Sequence, residues 1–241
     1  MGQIIVVDIG NTFGKIAVAF DDGTVESVSR VSHSQMESSL LETILRHSNA
    51  NGVIISCVGM ELSSIERMLQ GRGVRYIILS HKTKLPISIG YNTPATLGAD
   101  RIATATGAFS LFPGESLMVV DFGTAITIDF ITAQGEFSGG NISLGMRSRF
   151  ESLHAMTHNL PMIEPPYIDA SFGRNTREAI TSGVILGIIF EIEGYISRFR
   201  PEKVIFTGGD ALFFAKRMKS PIFVVYNLLF RGLIKISLFN E

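Results

Sequence analysis

A single cysteine, Cys57, is present among the 241 residues, so no intrachain disulfide can form. Disulfides belong to oxidising compartments, and the first residues do not have the pattern of a signal peptide. We therefore expect a cytoplasmic protein. Neither sign of charge dominates, since 21 basic and 22 acidic residues are mixed along the chain. Without a basic stripe nothing attracts nucleic acid or an anionic membrane surface, and we expect neither as a partner.

Long hydrophobic runs are also missing. The most apolar stretch, residues 184–196, is interrupted by Glu191 and Glu193, and it is shorter than the ~20 residues of a membrane-spanning helix. We therefore expect no membrane span. The mean hydropathy is nevertheless positive, and a chain of this length buries ~70% of the surface that its unfolded state exposes. We expect a large core, and buried surface that a subunit interface would extend.

One pattern of strand, acidic residue, glycine turn and strand occurs twice. Residues 5–11 read Ile-Val-Val-Asp-Ile-Gly-Asn, and residues 118–124 read Met-Val-Val-Asp-Phe-Gly-Thr. The two acidic residues, Asp8 and Asp121, are separated by nearly half of the chain. Internal repetition indicates a fold with two similar halves. We expect each half to bring a carboxylate and a glycine-rich hairpin to a shared cleft.

The hydrophobic pattern predicts an α/β fold, with strands at short β-branched runs and helices where apolar residues recur with helical spacing. Residues 112–116 contain Pro113 and Gly114 and fit neither pattern, so we expect domains at 1–113 and 114–241. The predicted strands are 4–7, 16–20, 52–58, 74–79, 117–120, 126–131, 203–206 and 222–225, and the predicted helices are 36–46, 63–71, 100–112, 146–158 and 176–199.

The first repeated turn contains groups that bind phosphate. Gly10 lets backbone N–H groups approach an anion closely. Asn11 and Thr12 add side-chain donors, and Lys15 adds a mobile positive charge. Asp8 is suited to hydrated Mg²⁺, which prefers one or two carboxylates together with phosphate oxygens and water. An ordinary hairpin that uses Asp and Gly only for its turn geometry has the same composition.

Two further turns follow the same logic. The second copy, Asp121 to Ala125, offers the same groups except the lysine. A third turn, Thr207-Gly208-Gly209-Asp210, follows a predicted strand, and its glycines leave room for a flat purine or ribose, although a simple β–α turn has this pattern too. The chain contains neither a Walker A loop nor G-x-G-x-x-G, which excludes the P-loop and Rossmann classes.

A separate motif, Gly98-Ala99-Asp100-Arg101, stands at the predicted start of a helix. The positive end of a helix stabilises a carboxylate, and a carboxylate that faces a cleft can accept the proton of an attacking hydroxyl. Arg101 supplies a planar fork for a carboxylate or phosphate. A helix-capping Asp followed by a surface arginine is the alternative.

Taken in order, these motifs resemble type III pantothenate kinase, of the acetate and sugar kinase, Hsp70 and actin superfamily. The resemblance runs from residue 4 to about residue 212 and is most specific where Gly98 to Arg101 is followed by Asp121 to Ala125. It implies duplicated ribonuclease-H-like (actin-like ATPase) domains, with mixed sheets flanked by helices. It also implies ATP-dependent phosphorylation of pantothenate to 4′-phosphopantothenate, the first step of coenzyme A biosynthesis.

The resemblance also implies roles for individual residues. Asp100 is the general base that takes the proton of the pantothenate hydroxyl. Asp121 is the ligand of a monovalent cation, K⁺ or NH₄⁺, and Asp8 meets the Mg²⁺ of ATP through water. Thr176 reaches pantothenate from the partner subunit, so we expect a homodimer with shared active sites. The implied pantothenate contacts are Tyr91, Gly98, Ala99, Asp100, Arg101 and Thr176, and the implied ATP contacts are Asp8, Ile9, Gly10, Asn11, Thr12, Phe13, Gly14, Lys15, Gly123, Thr124, Gly208 and Gly209.

One position departs from the family pattern. The family has a proline before the last glycine of Gly-Gly-x-Ile-x-Pro-Gly, whereas this chain has Leu144 before Gly145. The change removes a fixed φ angle and restores a backbone N–H. Two other functions stay open at this point: another kinase or phosphatase of the superfamily, and a non-catalytic accessory or regulatory relative.

Overall fold

The structure, a computed structural model, describes residues 2–165 and 171–241. These residues form two compact units. Unit 1 contains the chain up to Gly114, together with Thr132–Ser138 and Asn227–Glu241, and unit 2 contains Glu115–Ile131 and the described part of Gly139–Tyr226. The first boundary lies next to the position expected from Pro113 and Gly114. The C-terminal segment differs from the expectation, because it belongs to unit 1 and not to the second half.

Strands and helices alternate along the chain, which confirms the α/β prediction. The strands are β1 Gln3–Ile9, β2 Gly14–Phe20, β3 Val25–Val31, β4 Val53–Cys57, β5 Tyr76–Ile78, β6 Ser88–Ile89, β7 Leu117–Phe122, β8 Ala125–Ile131, β9 Glu136–Leu144, β10 Lys203–Gly208 and β11 Phe223–Val224. The helices are α1 Met36–Arg46, α2 Ser63–Gly71, α3 Ala99–Leu111, α4 Met146–Met156, α5 Thr176–Phe199, α6 Ala211–Ala215 and α7 Leu228–Phe239.

The sheet of unit 1 has the strand order β3-β2-β1-β4-β5. Its central strand, β1, is antiparallel to β2 and parallel to β4. Side chains alternate across a strand, so Ile5, Val7 and Ile9 share one face, where they pack with buried residues of α1 and α2 such as Leu40 and Leu69. The continuous apolar run at residues 4–7 thus produces a strand that is buried on both faces, with Asp8 near its end.

Helix α7 packs tightly against α3 in unit 1. A Cβ on Gly107 would lie 2.2 Å from the Leu228 carbonyl oxygen, and a Cβ on Gly232 would lie 1.7 Å from the Ala103 carbonyl oxygen. The two backbones can therefore approach only because both positions are glycine. This contact explains why the C-terminal helix belongs to unit 1, and it fixes the helix that begins beside Asp100.

The strands of unit 2 follow the order β11-β10-β7-β8-β9. Strand β7 is antiparallel to β8 and parallel to β10, which is parallel to β11. Counted from the first strand of each unit, this is the order found in unit 1, as expected for two similar halves. The core of unit 2 joins residues of β7 such as Val120 to the buried face of α5, including Ile185 and Ile188.

Helix α5 is long and apolar enough to cross a membrane by length and composition, alone among the helices that the structure describes. This differs from the expectation drawn from the shorter stretch 184–196. Within its most apolar window, 44% of the residues are buried inside the protein, and Val184, Ile188 and Ile192 belong to the core of unit 2. A buried helix in the core of a soluble protein has the same length and composition.

Candidate active site

The first repeated turn lies between β1 and β2 in unit 1. Asp8 and Lys15 stand opposite each other in the register of these antiparallel strands, and the backbone N–H of Gly10 donates to the carbonyl of Phe13 at 3.2 Å. The tip residues Asn11 and Thr12 are exposed. The predicted turn therefore brings a carboxylate, an amine and two exposed polar side chains to one end of the sheet.

Two side chains that the sequence did not single out support this turn. The Arg30 guanidinium carbon lies 3.4 Å from the ring centre of Phe13, and the Lys15 ammonium lies 5.8 Å from the same ring. The ring Nε2–H of His33 donates to the Gly10 carbonyl at 2.8 Å. Arg30 belongs to β3 and His33 follows it, and β3 was not predicted. Residues outside the turn thus stabilise it, Arg30 through a cation–π contact and His33 through a hydrogen bond.

Asp100 is the second residue of α3, which Gly98 precedes as the N-cap. The Asp100 Oδ1 atom accepts the backbone N–H of Arg101 at 2.8 Å, and the Thr104 hydroxyl donates to the Asp100 carbonyl at 2.7 Å. The carboxylate therefore has a fixed position in the first turn of the helix, where the helix dipole favours a negative charge. Asp100 is not the N-cap of the helix, whereas the alternative of a helix-capping Asp required it to be.

Asp8 is the most strongly perturbed titratable group near this site. Its pKa is raised from 3.8 to about 6: burial is the largest cause and the negative charge of Asp100 adds to it, while Lys15 and a hydrogen bond from Ser56 act in the opposite direction. The interaction of Asp8 with Asp100 means that unit 1 brings the two predicted carboxylates close together. Like charges in one partly buried site favour a bound cation.

The raised pKa of Asp8 predicts how stability depends on pH in the ligand-free protein. Well below pH 3.8 the Asp8 carboxyl is protonated in both the folded and the unfolded chain. Between pH 3.8 and about 6 it ionises in the unfolded chain first, so the free energy of unfolding falls as pH rises. Asp8→Asn removes this cost. We expect the variant to exceed wild type by about 2–3 kcal/mol above pH 6 and to approach it as the pH falls below 3.8, as measured by urea unfolding.

A matched control is Asp22, an exposed residue of unit 1. Hydrogen bonds from the backbone and side chain of Thr24 lower its pKa, so its contribution is lost as pH falls and has the opposite sign. Asp22→Asn should therefore not become more stable than wild type at neutral pH. A difference between Asp8→Asn and wild type that stays constant from pH 4 to pH 8 would contradict the account of Asp8.

Arg101 lies in an aromatic environment. It is only 6% exposed, and its guanidinium carbon lies 5.9 Å from the Tyr91 ring centre and 5.5 Å from that of Phe137. The two rings contact each other edge to face at 6.1 Å. The structure thus brings together two of the predicted pantothenate contacts, Tyr91 and Arg101. It adds Phe137, which was not predicted because it lies on β9, a strand that the sequence pattern did not indicate.

The second repeated turn joins β7 to β8 in unit 2. The backbone N–H of Gly123 donates to the Ala125 carbonyl at 3.1 Å, and Thr124 is exposed. Asp121 pairs in register with Thr127 on one side and Thr207 on the other. The turn therefore occupies the equivalent place in unit 2 and is one residue shorter than the first, with Asp121 in the position of Asp8.

The third turn lies beside Asp121. Gly208 has φ +91°, and a Cβ there would lie 2.5 Å from both the Asp121 Oδ1 atom and the Phe122 carbonyl oxygen. Glycine is therefore required by backbone conformation and by close approach. Gly209 is exposed, with open space where its Cβ would be. Unit 2 thus brings together the predicted cation ligand Asp121 and the predicted glycine turn.

Thr176 lies elsewhere in unit 2. It is the first residue of α5 and lines a cavity of about 970 Å³ between α4 and α5, which none of Asp121, Thr124 and Gly208 lines. The Asn175 side chain caps the helix by accepting a hydrogen bond from the backbone N–H of Glu178 at 3.0 Å. The Glu178 carboxylate in turn accepts a hydrogen bond from the backbone N–H of Arg174 at 2.8 Å. This capping box fixes the exposed Thr176 at the end of the helix.

Comparisons with known proteins agree with these motifs. The family model of type III pantothenate kinase matches residues 4–198. A type III pantothenate kinase of Phocaeicola vulgatus is 38% identical over 98% of each chain. Among solved structures, a candidate Baf family transcriptional activator from Campylobacter jejuni has TM-score 0.63 at 23% identity and covers 98% of each chain. A candidate N-acetylmannosamine kinase from Listeria monocytogenes has TM-score 0.58 at 13% identity and covers 99% of each chain. At these identities the two solved structures support the fold and nothing further.

Proposed function

The chain belongs to the type III pantothenate kinase family, and we propose that it phosphorylates pantothenate with ATP in coenzyme A biosynthesis and uses Asp100 as the general base. The observation that carries this assignment is the cluster in unit 1. Asp100 interacts electrostatically with Asp8 at the end of β1, and its neighbour Arg101 is packed against Tyr91 and Phe137. A phosphate turn and an anion-binding arginine thus flank one carboxylate.

The proposed reaction needs positioning and charge stabilisation more than covalent help. The Asp100 carboxylate accepts the proton of the pantothenate primary hydroxyl while the hydroxyl oxygen bonds to the γ-phosphorus of ATP. The bond from that phosphorus to the bridging oxygen breaks, and ADP leaves with the electron pair. Lys15 and the backbone N–H groups of the first turn stabilise the charge on the transferred group. Arg101 holds the pantothenate carboxylate.

The residues near Asp8 fit a hydrated Mg²⁺ that arrives with ATP. The negative charge of Asp100 raises the pKa of Asp8, and a cation beside Asp8 would relieve that repulsion. Within residues 2–165 and 171–241, no three His, Cys, Asp or Glu side chains gather as a metal cage. This agrees with an ion held mostly by water and phosphate oxygens. When bound, Mg²⁺ neutralises phosphate charge.

Asp121 is proposed as the ligand of K⁺ or NH₄⁺. Its carboxylate lies against the backbone of Gly208, and a carboxylate oxygen suits a hard monovalent ion. The glycines of the second and third turns, Gly123 and Gly208, are proposed to contact ATP together with Thr124 and Gly209. The lack of a lysine in the second turn supports this assignment, because of the two repeated turns the first alone carries a positively charged partner for the γ-phosphate.

A homodimer with shared active sites is proposed from the face that carries Thr176. The cavity at this face is lined by Leu144, Leu153 and Met156, and Met156 is 85% exposed. An exposed apolar face of this kind marks an interaction surface. A second copy of the chain would cover it and bring Thr176 towards the partner's pantothenate. We further propose a cytoplasmic location, which the single cysteine supports because it excludes an intrachain disulfide.

A substrate panel tests the proposed function. Initial rates of ADP release are measured with Mg-ATP and either pantothenate or a set of sugars, each in K⁺ and in Na⁺ buffer. We expect turnover with pantothenate only, and at least several-fold faster turnover in K⁺. Turnover of a sugar with none of pantothenate would favour another kinase of the superfamily, and equal rates in K⁺ and Na⁺ would contradict the role of Asp121.

A further inference from the structure

Arg149, on α4, joins three parts of unit 2. Its Nε–H donates to the Leu144 carbonyl at 2.8 Å, and its Nη2 group donates to the Ser143 hydroxyl at 3.2 Å. The same Nη2 group forms an ion pair with Glu191 of α5. One guanidinium therefore ties the end of β9 to α4 and to the middle of α5. Its planar array of donors is what allows several partners at once.

The Arg149–Glu191 ion pair is more protected than the other pairs on its helix. Both side chains are 22% exposed, whereas those of the Arg147–Glu164 pair, two residues away, are 60% and 72% exposed. A shielded, hydrogen-bonded pair holds its geometry, while an exposed pair contributes little. The pair is thus suited to fix the position of the segment that it touches.

That segment supports the second phosphate turn. The backbone N–H of Gly145 donates to the Thr124 carbonyl at 3.0 Å, and the Ser148 hydroxyl donates to the same carbonyl at 2.8 Å. A Cβ on Gly145 would lie 2.1 Å from the Gly123 carbonyl oxygen. The turn therefore rests directly on the start of α4.

We propose that Arg149 and Glu191 are positioning residues for the second phosphate turn. The hydrogen bond from Arg149, whose guanidinium is held by Glu191, restrains the Leu144 carbonyl. This restraint positions the adjacent Gly145, and the hydrogen bond from Gly145 positions Thr124. At Leu144 the chain has no proline to fix the backbone, and the Arg149 hydrogen bond restrains that residue instead. This proposal deepens the proposed function and rests on it, because it requires that the turn at Thr124 contact the nucleotide.

Loosening either end of the pair should weaken nucleotide binding without unfolding the protein. Arg149→Lys keeps the positive charge for Glu191 but loses the Nε–H donor to Leu144. Glu191→Gln keeps an acceptor for Arg149 but loses the charge. Calorimetric titration with Mg-ADP on the full chain should show about three- to tenfold weaker binding for each. The double variant should lose less than the product of the two effects, because both act through one contact.

Arg147→Lys is the matched control, since it makes the same change in an exposed pair on the same helix, and it should bind Mg-ADP as wild type does. If Arg149→Lys or Glu191→Gln fails to fold, Ser148→Ala tests the same path by removing a donor to Thr124, and it should also weaken binding. Unchanged Mg-ADP affinity in the folded variants, with or without a lower melting temperature, would overturn the proposal.

Failure of this inference and failure of the proposed function are separable. If wild type binds Mg-ADP but does not phosphorylate pantothenate, the proposed function fails, while the affinities of the variants still report on the ion pair. If wild type phosphorylates pantothenate and all variants bind Mg-ADP equally, only the role of Arg149 and Glu191 fails.

Discussion

Asp100→Asn is expected to lower kcat for pantothenate about 100- to 10,000-fold. The amide cannot accept the hydroxyl proton, so the reaction loses its general base. The amide oxygen can still accept the backbone N–H of Arg101, the contact that the Oδ1 atom makes at 2.8 Å in the native chain. The first turn of α3 should therefore keep its structure, and the effect should appear in kcat far more than in KM for ATP.

The controls for this variant are its melting temperature and its affinity for Mg-ADP. Both should stay near wild type, which separates lost chemistry from lost folding. Asp22→Asn, a change at an exposed carboxylate of the same unit, should keep full turnover. Activity of Asp100→Asn within threefold of wild type would exclude Asp100 as the base and leave the assignment of the site without its central residue.

Gly232→Ala should destabilise the protein by about 2–3 kcal/mol or prevent folding. A Cβ at this position would lie 1.7 Å from the Ala103 carbonyl oxygen and 2.9 Å from the Gly107 nitrogen. Both contacts are with backbone, which cannot move aside as a side chain tip does. Helices α3 and α7 would have to separate, and α3 carries Asp100. We therefore expect a loss of pantothenate turnover to accompany the loss of stability.

Gly194→Ala provides the comparison, because Gly194 lies inside α5 with nothing within 4 Å of its Cβ position. Alanine is favoured over glycine in a helix by about 1 kcal/mol, so this variant should be as stable as wild type or slightly more so. Thermal and urea unfolding of both variants measure the difference. A Gly232→Ala protein as stable as Gly194→Ala would contradict the packing of α7 on α3.

Elements with a strong local pattern were predicted well. The helices 36–46, 63–71 and 176–199 have the predicted bounds, because apolar residues recur with helical spacing in each. Strand β3 was missed because its residues between Val25 and Val31 are mostly exposed. Helix α7 was missed for another reason: its glycine contact with α3 joins distant parts of the sequence, and a local pattern does not carry that information.

The candidate site follows the same division. Asp8, Lys15 and Asp100 were selected as candidates because each belongs to a short motif whose residue types indicate a chemistry, and their roles stay predictions. Arg30 and Phe137 could not be predicted, since their roles depend on strand register and on contacts across the fold. The repeated Asp-x-Gly turns indicated two similar halves, and of these two turns the first alone has a lysine. The surroundings of Asp8, with Lys15 and Asp100 nearby, distinguish it from Asp121, which lies against Gly208.

Identification of the reaction product is the most direct test that the protein phosphorylates pantothenate with Asp100 as the general base. The purified chain is incubated with Mg-ATP, K⁺ and pantothenate, and the products are followed by phosphorus NMR and mass spectrometry. The proposed reaction should give one new phosphomonoester on the primary hydroxyl of pantothenate, formed in equal amount to ADP, and at least about 100-fold less of it in the same time with Asp100→Asn. Release of ADP and inorganic phosphate without that ester, or no reaction under saturating substrates, would contradict it.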